Sequence, residues 1–176
     1  CGKLPDTFAR DLSDYPSTEH FHDSPHYVDY TEDIYVGYRY FETLPGAAER
    51  VCYPFGYGLS YTSFALETAG TGAENGRIRV DVRVTNTGNC PGKEVVQLYY
   101  SAPWGLLQKP KRCLAAFQKT KLLEPGESQT VELTFAVSDM ASFDDLGKIA
   151  LSAWVLEKGR YPLYMGTSVR DTVELD

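Results

Sequence analysis

Arg77-Ile78-Arg79-Val80-Asp81-Val82-Arg83-Val84 alternates charged with β-branched residues. A period of two puts Ile78, Val80, Val82 and Val84 on one face of the backbone and the charges on the other, the pattern of a half-buried β-strand. The strand stops at Asn86-Thr87-Gly88-Asn89, a turn cluster suited to positive φ. Val96, Leu98 and Tyr100 form the buried set of the next strand, which ends at Pro103. A shorter one runs from Cys113 to Phe117. Leu122-Leu123 leads into Glu124-Pro125-Gly126-Glu127, whose Pro-Gly pair fits the centre of a type II turn. Val131, Leu133, Phe135 and Val137 then alternate with Glu132, Thr134 and Ala136. Two further strands are expected over residues 149–155 and 161–165, linked through Lys158-Gly159. About seven short strands with turn signals every ~8–12 residues predict a mainly β chain with an immunoglobulin-like sandwich over residues 64–176. No segment reads as a long amphipathic helix. Ser138 to Phe143 suits one short helical turn capped by Ser138.

Residues 1–63 read differently. The first thirty or so lack periodicity, carry Pro5, Pro16 and Pro25 with many Asp and Ser, and predict an extended, loop-rich segment. Ile34-Tyr35-Val36-Gly37-Tyr38-Arg39-Tyr40-Phe41 follows as an aromatic strand bulky on both faces. Such a strand needs covering on both sides, and this stretch of chain supplies too little. Residues 1–63 are therefore expected to be the tail of an incomplete domain plus a Tyr-rich linker. Residues 64–176 are expected to fold alone.

The 176 residues hold 24 acidic and 17 basic side chains, for a formal charge of −7. A sequence pI near 5.0 argues against a nucleic-acid binder, which shows a basic face. No apolar run reaches the roughly 18 residues that cross a bilayer. Cys1, Cys52, Cys90 and Cys113 are scattered, with no CxxC pair. The compartment stays open, with reduced thiols and cytoplasm favoured over secretion, and the source is expected to be bacterial.

Each chemistry-bearing residue also has an ordinary structural reading. His20, His22 and His26 are metal-ligand types, but Pro25 and the lack of a distant fourth ligand favour a solvated loop. Glu32-Asp33 and Asp144-Asp145 are paired carboxylates, yet sequence neighbours point apart, so they read as solvated charge. Ser60 lies in Gly56-Tyr57-Gly58-Leu59-Ser60, which is not the nucleophile elbow, and no His follows residue 26 to serve it. Gly37 and Gly56 make no phosphate-binding loop. The aromatics remain. Tyr35, Tyr38, Tyr40, Tyr53, Phe55, Tyr57 and Tyr61 crowd one stretch, and Trp104 stands between Pro103 and Gly105. Aromatic faces stack on sugars and also cement interfaces. Interdomain packing is the reading for the Tyr-rich stretch, while Trp104 suits stacking and packing equally. Trp104, Tyr38, Arg39 and Tyr57 are the candidate substrate-rim or interdomain residues.

Tyr30-Thr31-Glu32-Asp33-Ile34-Tyr35-Val36-Gly37-Tyr38-Arg39-Tyr40-Phe41, followed by Tyr53-Pro54-Phe55-Gly56-Tyr57-Gly58-Leu59-Ser60-Tyr61-Thr62, resembles glycoside hydrolase family 3, the family of β-glucosidases and β-xylosidases. Gly2-Lys3-Leu4-Pro5-Asp6-Thr7-Phe8 matches the same family. Val84-Thr85-Asn86-Thr87-Gly88, Glu94-Val95-Val96-Gln97-Leu98-Tyr99, Leu123-Glu124-Pro125-Gly126-Glu127 and Gly159-Arg160-Tyr161 resemble its fibronectin type III-like module. The resemblance implies that residues 1–63 end an α/β sandwich domain and that residues 64–176 are that module. It implies a retaining parent enzyme with an Asp nucleophile and a Glu acid/base. Neither carboxylate maps onto this chain, so no catalytic residue is assigned. Ser13-Asp14 and Ser138-Asp139 lack the Trp of the nucleophile motif, and Asp33 stands where the family has Gly. The implied partners are the parent's catalytic domains and, through them, β-glucosides or oligosaccharides. No cofactor, metal, nucleic acid or membrane is implied. A stand-alone carbohydrate-binding or adhesion module is the alternative.

Overall fold

The computed structural model describes residues 2–175. Strands make up 36% of the chain and helix 12%, so the mainly β expectation holds. In chain order the elements are β1 (Phe8–Ala9), α1 (Tyr38–Thr43), β2 (Val51–Tyr53), β3 (Phe64–Glu74), β4 (Arg77–Asn86), β5 (Val95–Tyr100) and β6 (Cys113–Lys119). They continue with β7 (Ser128–Ala136), β8 (Ser142–Asp144), β9 (Ala153–Val155), β10 (Leu163–Gly166) and β11 (Thr172–Glu174).

Two antiparallel sheets, β3-β4-β7 and β11-β10-β5-β6, face each other. Their facing side chains come from strict alternation: Val80, Val82 and Val84 on β4 meet Val131, Leu133 and Phe135 on β7, with Val96, Leu98 and Met165 opposite. β4 is central in its sheet, paired Val82 to Val131 on one side and Thr68 to Val82 on the other. Of the residues that alternation places inside, Val80, Val82, Val84, Val96, Leu98, Tyr100, Val131, Leu133 and Phe135 are buried, while Ile78 and Val137 are half-buried against them. Glu124-Pro125-Gly126-Glu127 is a type II turn: Glu127 N–H donates to Glu124 O at 2.9 Å and Gly126 has φ +80°.

Residues 86–89 turn without any positive φ. The work is done by the Asn86 side chain, which is fully buried. Its Nδ2 donates to Cys90 O at 2.8 Å and Leu123 O at 2.9 Å, and its Oδ1 accepts from Thr62 Oγ1 at 2.6 Å and Gly88 N–H at 3.1 Å. Asn86 therefore ties the entry to β3, the β4–β5 turn and the strand end before β7 to one point.

The expected strand over residues 34–41 is instead the entry to α1. Gly37 has φ 58° and ψ −128°, a conformation closed to other residues, and it turns the chain. The helix then sends Phe41 into a second small core with Ala47 and Val51. Tertiary packing overrides the aromatic strand propensity here. Only Ala153–Val155 of the expected strand over residues 149–155 is extended. The short turn near Ser138 is a 3₁₀ helix at Val137–Met140, and its cap is the Asp139 carboxylate accepting from Ala136 N–H at 3.0 Å, not Ser138.

β5 is buried on both faces. Val96, Leu98 and Tyr100 point into the sandwich, while Gln97 and Tyr99 are buried on the other side. Residues from the first part of the chain cover that second face, as follows.

Candidate functional site

Tyr38 begins α1 and lies over the outer side of β5. Its ring sits 4.7 Å from Phe55 and 6.3 Å, edge-on, from Tyr99, and its hydroxyl accepts from Leu114 N–H at 2.9 Å. Around it, Lys3 pairs with Glu94 at 3.1 Å, Arg170 with Glu42 at 2.7 Å, and Lys111 N–H donates to Thr43 Oγ1 at 2.8 Å. Val169 N–H donates to Phe55 O at 3.1 Å. Charged pairs thus ring an aromatic centre, the anatomy of a protein–protein interface within one chain.

Arg39 lies beside the Tyr38 hydroxyl and lines a cavity of about 350 Å³ with Tyr100, Cys113, Phe143 and Trp154. Burial works against its charge. The hydroxyls of Tyr38 and Tyr100 and the Cys113 sulfur outweigh that, so its pKa lies above the ordinary value. Burial pushes the Cys113 thiol up, away from thiolate chemistry. Tyr57 stacks 5.0 Å from Tyr53 and lines a separate apolar groove of about 580 Å³ with Leu4, Phe8 and Leu59. Trp104 lines neither cavity and is 73% exposed. The structure brings Tyr38 and Arg39 together and keeps Tyr57 and Trp104 apart from them.

The Trp104 loop is held by residues that sequence reasoning did not single out. Glu157 accepts from Leu106 N–H at 2.7 Å and Leu107 N–H at 3.3 Å, and it pairs with the buried Lys109 ammonium. The Lys109 ammonium holds the Glu157 carboxyl below the usual carboxylate range, against a smaller opposing effect of burial. A Cβ on Gly105 would run into the Glu157 carboxylate, so a side chain beside Trp104 would displace that carboxylate from the clamp. Glu157 and Lys109 are 48 positions apart, and no local pattern joins them.

Asp144 is a correction. It is buried rather than solvated, and its carboxylate accepts N–H bonds from Lys148 at 3.0 Å, Ile149 at 2.6 Å and Ala150 at 2.9 Å. Burial raises its pKa, but these donors outweigh burial and leave it below the ordinary value. The segment that was expected to be a strand wraps this carboxylate instead. His20 Nδ1 lies 2.8 Å from Asp23, and that carboxylate raises the imidazole pKa. Among the described residues no three His, Cys, Asp or Glu side chains converge as a metal site. No described helix is long and apolar enough to cross a membrane.

Residues 94–169 match the fibronectin type III-like domain. The chain is 60% identical to β-glucosidase A of Butyrivibrio fibrisolvens, an alignment covering 99% of this chain and 23% of that protein. It is 48% identical to a β-glucosidase of Ruminococcus albus over 99% of this chain and 18% of the relative. This is glycoside hydrolase family 3 sequence. Among solved structures, the family 3 segment superposes on a β-glucosidase from Paenibacillus barengoltzii with a TM-score of 0.93 and 52% identity, covering 99% of this chain and 19% of that one. β-Glucosidase 3B from Thermotoga neapolitana, solved with α-D-glucose, gives 0.87 and 44% over 98% and 24%. The segment therefore spans about a fifth to a quarter of these relatives' length.

Proposed function

We propose that this chain is the non-catalytic bracing part of a longer retaining β-glycosidase that removes terminal β-linked sugars. In this reading residues 1–63 are the tail of the α/β sandwich domain with its Tyr-rich linker, and residues 64–176 are the fibronectin type III-like module. The observation that supports it most is the outer face of β5. Tyr38, Phe55 and the ion pairs around them join the two parts through an interface with an aromatic centre over the buried Tyr99. Such a joint transmits the module's stability to whatever the first part belongs to. Trp104, presented by the Glu157 clamp, is the residue we assign to the rim of the sugar site in the parent enzyme.

Deleting residues 64–176 from the longer glycosidase tests both assignments. The expected result is a lower melting temperature and yield, together with a raised KM for an aryl β-glucoside. Unchanged stability overturns the bracing role. Unchanged KM overturns the Trp104 assignment.

A further inference from the structure

β8 and β9 form a two-stranded hairpin that joins neither main sheet. A hairpin of that size is marginal in water without a partner. Here its inner side is fixed by the Asp144 carboxylate, and its outer side is apolar. Phe143 and Trp154 stand directly opposite each other across the pair, ring centroids 5.4 Å apart, and Leu146 and Leu151 extend the surface at the tip. Leu146, Leu151 and Trp154 are each 72% exposed. Contiguous apolar surface on a rigid element marks an interaction site.

We propose that this outward face is a docking surface for the catalytic part of the same longer glycosidase. The inference rests on the bracing reading above and names the surface that carries the load. The occupant follows from two observations. A cavity of about 340 Å³ lies between Asp33 and Ile34 of the first part and Phe143, Leu146 and Lys148 of the hairpin. Ile34 also lines the neighbouring cavity with Phe143 and Trp154, so the first part borders the hairpin's aromatic pair directly. A body that completes the first part is therefore placed to cover the hairpin too. The aligned relatives also carry three-quarters or more of their length outside the matched region, chain enough to supply that body.

The test is Leu151→Ser with Trp154→Ser, made both in the longer enzyme and in the 176-residue chain. The expected result is a melting temperature lowered by roughly 3–6 °C more in the longer enzyme than in the short chain, where the loss is confined to the Phe143–Trp154 ring contact. Should the doubly substituted enzyme fail to fold, hydrogen exchange on the unsubstituted proteins decides. Amides of β8 and β9 should exchange at least about tenfold more slowly in the longer enzyme. Equal destabilisation of both proteins overturns the proposal, because the side chains then act within the hairpin. Equal exchange overturns it as well. So does a concentration-dependent dimer of the short chain that the substitutions abolish, which would make a second copy the occupant. No effect in either protein, alongside a destabilising deletion of residues 64–176, removes the docking face and leaves the bracing reading standing. A deletion without effect removes the reading itself.

Discussion

Replacing Asn86 by Ala would strip hydrogen bonds from Cys90 O, Leu123 O, Thr62 Oγ1 and Gly88 N–H around a fully buried side chain. A buried polar group that loses its partner costs about 1–3 kcal/mol, and four hydrogen bonds are lost together here, although Leu123 O keeps Gly92 N–H at 3.0 Å. We expect Asn86→Ala to lower unfolding free energy by about 3 kcal/mol in urea denaturation. A loss under ~1 kcal/mol would mean that the turns hold without it. In the sequence Asn86 looks like any turn residue, because its partners Thr62 and Leu123 lie far along the chain. Asp144 reads as solvated charge for a similar reason. Its donors are backbone N–H groups, which no side-chain pattern reveals. Val80, Val82 and Val84 are the opposite case, since alternation is itself a statement about burial.

The β8–β9 hairpin depends on that one carboxylate, so its stability should follow pH. The folded-state pKa of Asp144 lies below its unfolded value of about 3.9. The stabilisation is therefore complete above the unfolded pKa and is lost as pH falls through the folded one. Urea midpoints of the chain should decline as the pH falls below about 4, and Asp144→Asn should flatten its share of that decline. Parallel curves for the two proteins would contradict the assignment. Other elements differ in how far the sequence reveals them. β3 lacks clean alternation, and its signal is Asn75-Gly76, both at positive φ, a strong hairpin turn that joins it to β4. α1 reads as a strand because its aromatic run carries strand propensity. What decides its state is Gly37 and the placement of Phe41 in a core that the local sequence does not announce.

The two parts of the chain share β5. Removing residues 1–63 would uncover Tyr99 and Gln97 and delete the rings of Tyr38 and Phe55 that lie over them. We expect residues 64–176 alone to be less stable than the 176-residue chain by at least ~2 kcal/mol and to bind a hydrophobic dye that the full chain excludes. Equal stability and no dye binding would show that the cover contributes nothing. The sandwich and its inward residues were readable from the sequence. The second covering of β5 was not, because Gln97 and Tyr99 carry the polar atoms expected of a wet face. Those atoms are satisfied indoors: Gln97 donates to Thr167 O at 3.0 Å, and the Tyr99 hydroxyl donates to Gln97.

A strand facing water on one side has a free side on which mutations accumulate at little cost. β5 has no such side. A change at Val96 or Leu98 disturbs the sandwich interior, and a change at Gln97 or Tyr99 disturbs the joint with the first part. Random mutagenesis screened for folded protein should return β4 and β7 with their outward positions scrambled and β5 almost untouched. β5 is thus the hinge of the chain's evolvability, where drift in one half is constrained by the other.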